Sequence, residues 1–153
     1  MNQRQFSERV LDMERKLYRI SRTILKSDAD CQDAMQEALI KGWAKRGALR
    51  DDAAFEPWLI RILINECKQS ARGSARHRHV ELTEFVEAPS PPDRELHEAL
   101  FSLEERYRLP VALHYVDGYS VREIAVMLRA PEGTVKSWLH TGRERLKTLL
   151  REE

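Results

Sequence analysis

Apolar residues recur at three- and four-residue steps through two long stretches of this chain, and nowhere do they alternate with polar ones at every second position. That spacing decides the element type, because a helix returns to the same side about every 3.6 residues and a strand every two. Val10, Met13, Leu17, Ile20 or Ser21, and Ile24 mark a first helix. Ser27-Asp28-Ala29-Asp30 then offers a cap and acids for a new helix N-terminus. Ala34, Met35, Ala38 and Leu39 carry that second helix inward, to an end near Trp43. Residues 46–57, RGALRDDAAFEP, read as a loop in which Pro57 starts a third helix. There Leu59, Ile62, Leu63 and Glu66 share a side, and the pattern runs to about Arg72.

The stretch GSARHRHVELTEFVEAPSPPD (73–93) keeps no period, and Pro89, Pro91 and Pro92 argue for an extended linker. Fully stretched, residues 76–92 reach at most roughly 55–60 Å, which makes the segment a tether rather than a turn. From Asp93 the helical spacing resumes. Ser102 with Glu105 offers a capping box, and Ser120 with Glu123 a better one. Val121, Ile124, Ala125 and Leu128 then share a face, residues 129–133 break the run, and a last helix follows, which is the outline of a helix-turn-helix. The expected fold class is therefore all-α. Two small helical domains, 1–75 and 93–153, are joined by a flexible linker over 76–92, and the second is a helix-turn-helix.

In the last helix, GTVKSWLHTGRERL (133–146) and its continuation, Val135, Leu139, Gly142, Leu146 and Leu149 fall in one stripe at about 100° per residue. Lys136, His140, Arg143, Lys147 and Arg151 form a second, basic stripe about a quarter-turn away. Such a face suits phosphates, with Lys136, Ser137 and His140 near the helix start, where side chains reach base edges. A solvated outer face would have the same spacing. Trp138 lies about 60° from the centre of the apolar stripe, on the side away from Lys136, His140 and Arg143. It is expected at the edge of the core or under a partner, not on bases.

The third helix repeats the arrangement. Arg61, Asn65, Lys68 and Arg72 lie on a face away from its apolar residues. Lys and Arg neutralise phosphates, and Asn can hydrogen-bond a base edge. Phe55 and Trp58 offer stacking surfaces for unpaired bases, although Trp58 fits the core better. The second helix behaves oppositely, with Asp30, Asp33, Gln36 and Glu37 forming an acidic-polar surface. The macrodipole accounts for Asp30 and for Asp33, but weakly for Glu37, which lies further in. An acidic patch repels DNA, so a functional role for it needs a basic protein partner.

Other classes receive little support. No run of eighteen apolar residues exists, and the N-terminal MNQRQFSERV lacks the apolar core of a secretion signal, so no membrane span and a cytoplasmic location are expected. Cys31 and Cys67 have no ligand spacing and suit a reducing compartment. His77, His79, His97, His114 and His140 sit near no acid or thiol at metal or triad spacing, and no phosphate-loop or zinc-protease motif occurs. Neither an enzyme nor a cofactor nor a metal site is expected. With 26 basic and 25 acidic residues the formal charge is only +1, awkward for a DNA-binding protein acting alone.

YRISRTILKSDADCQDAMQEALIKGW with AFEPWLIRILINECKQSARG resembles region 2 of the extracytoplasmic-function (ECF) sigma factors of bacteria. SLEERYRLPVALHYVDGYSVREIAVMLRAPEGTVKSWLHTGRERL resembles their region 4. The two matches cover nearly the whole chain in the right order. The resemblance implies a promoter-specificity subunit that binds bacterial core RNA polymerase and recognises −10 and −35 elements. It implies that Asp33, Gln36 and Glu37 dock on the β′ clamp coiled coil, and that region 4 packs on the β-flap. It places Phe55 and Asn65 near a pocket for a flipped −10 base, with Arg61, Lys68 and Arg72 along the backbone. It assigns Thr134, Lys136, Ser137, His140 and Arg143 to the −35 major groove, and implies an anti-sigma factor as a further partner. The low net charge then makes sense, because core polymerase holds most of the promoter DNA. The chain departs from GTVKSRLHRGRE, common in the family, by carrying Trp138 and Thr141 where arginines would stand. The rival from another class is a stand-alone helix-turn-helix regulator whose N-terminal helices dimerise or sense a ligand. A purely protein-binding adaptor would leave both basic stripes without a ligand.

Overall fold

The computed structural model describes residues 1–74 and 91–151. Its helices are α1 (Gln3–Ile24), α2 (Asp28–Ala44), α3 (Phe55–Ser74), α4 (Pro91–Ser102), α5 (Glu105–Val111), α6 (Val121–Leu128) and α7 (Glu132–Arg151), with no strand among the described residues. The tether and the His77 and His79 pair lie outside those residues, except that Pro91 and Pro92 already belong to α4.

The first helix begins earlier than its apolar spacing indicates. Asn2 Oδ1 accepts from the Gln5 amide at 2.8 Å, and Gln5 Oε1 accepts from the Asn2 amide at 3.0 Å. This reciprocal cap starts the helix at Gln3 and lets Phe6 join the core. Both Ile20 and Ser21 turn inward, the serine hydroxyl donating to the Leu17 carbonyl at 2.8 Å. In α2 the Ser27 hydroxyl accepts from the Asp30 amide at 3.2 Å, as its sequence indicated.

The loop before α3 holds two short 3₁₀ turns, Arg46–Ala48 and Asp52–Ala54, and α3 starts at Phe55, two residues before Pro57. The buried face of α3 is wider than expected. Phe55, Leu59, Ile60, Leu63, Ile64 and Cys67 are all enclosed, because α1 and α2 flank the helix and α6 packs against it as well. Ile62 is only half-buried, while Glu66 is 7% exposed and pairs with Lys41 of α2. A carboxylate so enclosed needs that cation.

In the C-terminal half, the Ser102–Glu105 capping box does not form. Ser102 is the last residue of α4, its hydroxyl donating back to the Glu98 carbonyl at 3.0 Å, so it is helical and cannot cap α5. The Ser120–Glu123 box does form, at 3.1 Å from the Glu123 amide to Ser120 Oγ and 2.9 Å from the Ser120 amide to Glu123 Oε1. Helix α5 contains Pro110, which has no N–H to give, and it opens into one π-helical turn over Ala112–Val116. The break in the helix-turn-helix is made without a glycine at its centre. Arg129 itself ends α6 in the left-handed region at φ 53°, a conformation that costs a side-chain-bearing residue roughly 1–2 kcal/mol. Val135, Leu139 and Gly142 of α7 then bury against the rest of the unit, with Leu146 and Leu149 partly covered, as the stripe predicts.

Candidate nucleic-acid interface

Helix α7 is amphipathic by phase alone, and burying Val135, Leu139 and Gly142 turns Lys136, Ser137, His140 and Arg143 outward, all four exposed. Thr134, at the same end, is half-covered. Arg143 is steadied by Tyr115, whose hydroxyl lies 3.5 Å from its Nη1. Four side chains able to donate hydrogen bonds thus share one open helical face. An α-helix presenting such a row can enter the major groove, its basic groups meeting phosphates and its shorter polar ones meeting base edges.

Trp138 is half-buried and packs against the core edge, lining a crevice with Leu109, Pro110 and Leu128. Lys68 of α3 lines the same crevice. The tryptophan therefore sits where its phase put it, on the side of α7 away from the exposed donors.

On α3, Asn65, Lys68 and Arg72 are exposed and Arg61 is half-covered. Burial and then the neighbouring Arg129 guanidinium both lower the pKa of Arg61. Phe55 must be removed from this group. Its ring is fully buried at 0% exposure, edge-on to Phe6 with centroids 5.7 Å apart and covered by the Arg9 guanidinium at 4.5 Å. A ring enclosed on both sides offers no face to a base. The aromatic side chain that does border Arg61 is Trp58, half-buried and lining the same crevices as Arg61, one of which also includes Asn65. Trp58 packs against the core as expected but keeps part of its surface open, whereas Phe55, which the resemblance had put at the pocket, is fully enclosed.

Helix α2 presents Asp33, Gln36 and Glu37 outward, opposite its buried Ala34, Met35 and Ala38. Neither Asp33 nor Glu37 forms an ion pair among the described residues. Three helices thus carry three separate polar faces, one acidic and two basic.

Among the described residues no group of His, Cys, Asp and Glu is arranged to hold a metal ion, and no helix is long and apolar enough to cross a membrane. Cys31 and Cys67 are free thiols enclosed in the core, and burial raises the pKa of both.

The sequence also left unmarked a set of polar contacts between the two halves of the chain. Tyr119, ahead of α6, donates to Glu56 of α3 at 3.1 Å, and Arg19 of α1 donates to Asp117 at 2.8 Å. No spacing within a single helix signals pairs of this kind.

Residues 10–77 match the family model for sigma-70 region 2, and residues 93–146 match that for sigma-70 region 4. The chain is 35% identical to the ECF RNA polymerase sigma factor SigM of Mycobacterium tuberculosis, over 89% of this chain and 72% of that protein. It is 30% identical to the RNA polymerase sigma-H factor of Pseudomonas aeruginosa, over 99% of this chain and 91% of that one. It is 32% identical to the ECF RNA polymerase sigma-E factor of Escherichia coli, over 75% and 71% respectively. Its fold is similar to that of the sigma factor RpoE solved with the anti-sigma factor NepR from Bartonella quintana. That likeness has a TM-score of 0.82 at 24% identity and covers 96% of this chain and 97% of the other. CnrH, solved with the cytosolic domain of CnrY, aligns with a TM-score of 0.77 at 23% identity, over 99% of this chain and 91% of the other.

Proposed function

The chain belongs to the ECF family of RNA polymerase sigma factors, and from that premise we propose how its surfaces divide the work of promoter-specific transcription initiation. Asp33, Gln36 and Glu37 on α2 engage a basic surface of core RNA polymerase, the β′ clamp coiled coil. Arg61, Lys68 and Arg72 on α3 hold the backbone of the opened −10 strand, and Asn65 reads an unpaired base there. Thr134, Lys136, Ser137, His140 and Arg143 on α7 enter the major groove of the −35 element while the C-terminal unit rests on the β-flap. An anti-sigma factor restrains the protein, as the anti-sigma factor NepR accompanies the structurally similar RpoE. The site of action is the cytoplasm, where polymerase and promoters are.

The observation that carries this division is the separation of charge by helix. The acidic-polar face of α2 and the basic faces of α3 and α7 lie on different elements, and the acids that would repel DNA stand apart from the groups that would bind it. A formal charge of +1 then fits a subunit whose polymerase supplies most of the DNA affinity.

The test is run-off transcription over a genomic promoter library, with and without core polymerase. Promoter-selective transcripts that need both the chain and core are expected. Tight, selective promoter binding by the purified protein, with no effect on core, would replace this assignment with the stand-alone regulator.

A further inference from the structure

Cations from three separate elements converge on one small space. A crevice of about 260 Å³ is bordered by Lys41 of α2 and Lys45 just beyond it, by Trp58, Arg61 and Asn65 of α3, and by Arg129 at the end of α6. Like charges are crowded there. After burial, the neighbouring charge that lowers the pKa of Arg61 is that of Arg129, a second guanidinium. In a chain whose formal charge is only +1, such a gathering is not the overflow of a basic composition.

No anion of the protein matches these cations. Glu66, the one carboxylate lining the crevice, is 7% exposed and already engaged by Lys41. Lys45, Arg61 and Arg129 form no ion pair among the described residues. Like charges held together repel, and a multivalent anion turns that repulsion into attraction. Phosphate groups suit this best, since each oxygen accepts from guanidinium and ammonium donors at close range.

Trp58 adds a second chemistry. The indole is half-buried and lines both this crevice and a larger one of about 790 Å³, so the two spaces meet at Trp58 and Arg61. A flat aromatic surface beside a guanidinium is a stacking platform for a nucleobase, and a bare phosphate has no use for it. Asn65 supplies an amide that can donate to a phosphate or ribose oxygen. The carboxylates lining the larger crevice are held in caps, Asp51 accepting from the Ala53 amide at 3.0 Å and Glu123 from the Ser120 amide at 2.9 Å.

We propose that these adjoining crevices bind a nucleoside triphosphate, its phosphate chain among Lys41, Lys45, Arg61 and Arg129 and its base on Trp58. The site is a small-molecule site, beyond promoter recognition. It shares Arg61 and Asn65 with the −10 assignment, whereas Lys45, Trp58 and Arg129 lie outside that assignment and carry the test.

The experiment uses the full chain and ATP labelled with a fluorophore on its ribose. Anisotropy reads binding, and unlabelled ATP or tripolyphosphate displaces the probe. Saturable binding of one nucleotide per chain is expected. ATP should bind on the order of tenfold tighter than tripolyphosphate, the worth of one stacked base. Tripolyphosphate carries the greater charge, so that preference isolates the base. Lys45→Gln and Arg129→Asn should each weaken ATP on the order of tenfold by removing a charged donor. Asparagine is chosen because it tolerates the left-handed backbone at φ 53°, and Arg129→Lys should keep most of the affinity. Trp58→Leu should lower ATP to the level of tripolyphosphate and leave tripolyphosphate unchanged. Arg15→Gln removes an exposed cation of α1 that lines neither crevice, and should change nothing. An equal loss in Arg15→Gln and Arg129→Asn overturns the site, because net charge alone would then govern binding. Tripolyphosphate as tight as ATP on wild type overturns the nucleotide as its ligand, and unsaturable binding overturns the proposal outright. If Trp58→Leu loses helicity by circular dichroism, the exposed Lys45 and Arg129 variants decide alone, and unchanged affinity in both overturns the proposal.

Discussion

A Cβ added to Gly142 of α7 would come within 2.6 Å of Val111 Cγ2 on α5 and 3.3 Å of Tyr107 Cβ. The two helices approach so closely that only hydrogen fits between them. Val111 is fully enclosed and β-branched, so it cannot swing aside. Gly142→Ala sets a helix-propensity gain of about 0.5–1 kcal/mol against overpacking of about 1–3 kcal/mol. A net loss of roughly 1 kcal/mol in urea unfolding is expected, and a stabilised variant would show that the contact relaxes freely.

Asp33→Arg with Glu37→Arg should abolish co-purification with core polymerase while leaving helical content unchanged. Both side chains are exposed and unpaired among the described residues, so the fold loses nothing by their reversal. Normal recovery of the double variant on immobilised core would remove α2 from the docking surface.

Asn65→Ala should weaken promoter opening more than closed-complex formation, because Asn65 is assigned to a base that is unpaired only after opening. Loss of a good base contact costs on the order of 1–3 kcal/mol. Permanganate footprinting against gel-shift affinity separates the two steps. An equal loss at every −10 sequence would leave Asn65 no part in readout.

The helices themselves were legible because each carries its own period. Val135, Leu139 and Gly142 had to share a face whatever surrounded them, and Ser120 with Glu123 is a local device that needs no distant partner. What escaped depended on distant chain. Phe55 looks available beside its loop, and only the return of Phe6 and Arg9 from α1 encloses it. Arg19 and Asp117 stand 98 positions apart, so no spacing rule connects them. Ser102 failed as a cap for a nearer reason, since α4 had already taken it into its last turn.

Trp138→Ala should destabilise the chain by about 2 kcal/mol, since a fully buried aromatic would cost about 3–5 kcal/mol and this one is half-covered. Trp138→Arg should raise the salt dependence of −35 DNA binding by roughly one phosphate contact and leave sequence preference alone. A switched −35 preference in Trp138→Ala, with stability intact, would make the tryptophan a base reader.

Burial pushes the Cys31 thiol up to about 12 and the Cys67 thiol up to about 11. The folded chain therefore keeps both protons at pH values where the unfolded chain has released them. Their stabilising share is whole below the ordinary thiol value and is lost as pH rises toward about 11 and 12. Urea midpoints from neutral pH upward should fall more steeply for wild type than for Cys31→Ala with Cys67→Ala. Parallel curves would show that the thiols do not contribute to alkaline unfolding.

The π-helical turn at Ala112–Val116 holds one residue more than a regular turn would. Each residue of helix corresponds to about 100° of rotation. Asp117 and Tyr119, whose amides donate back to Ala112 and Leu113 at 3.1 and 3.0 Å, take their heading from that surplus residue. Deleting it would swing both side chains through nearly a third of a circle, away from Arg19 and Glu56, with all four of these residues still present. The aim of one half of the chain at the other is thus an angular setting, stored as a count of residues rather than in the identity of any of them.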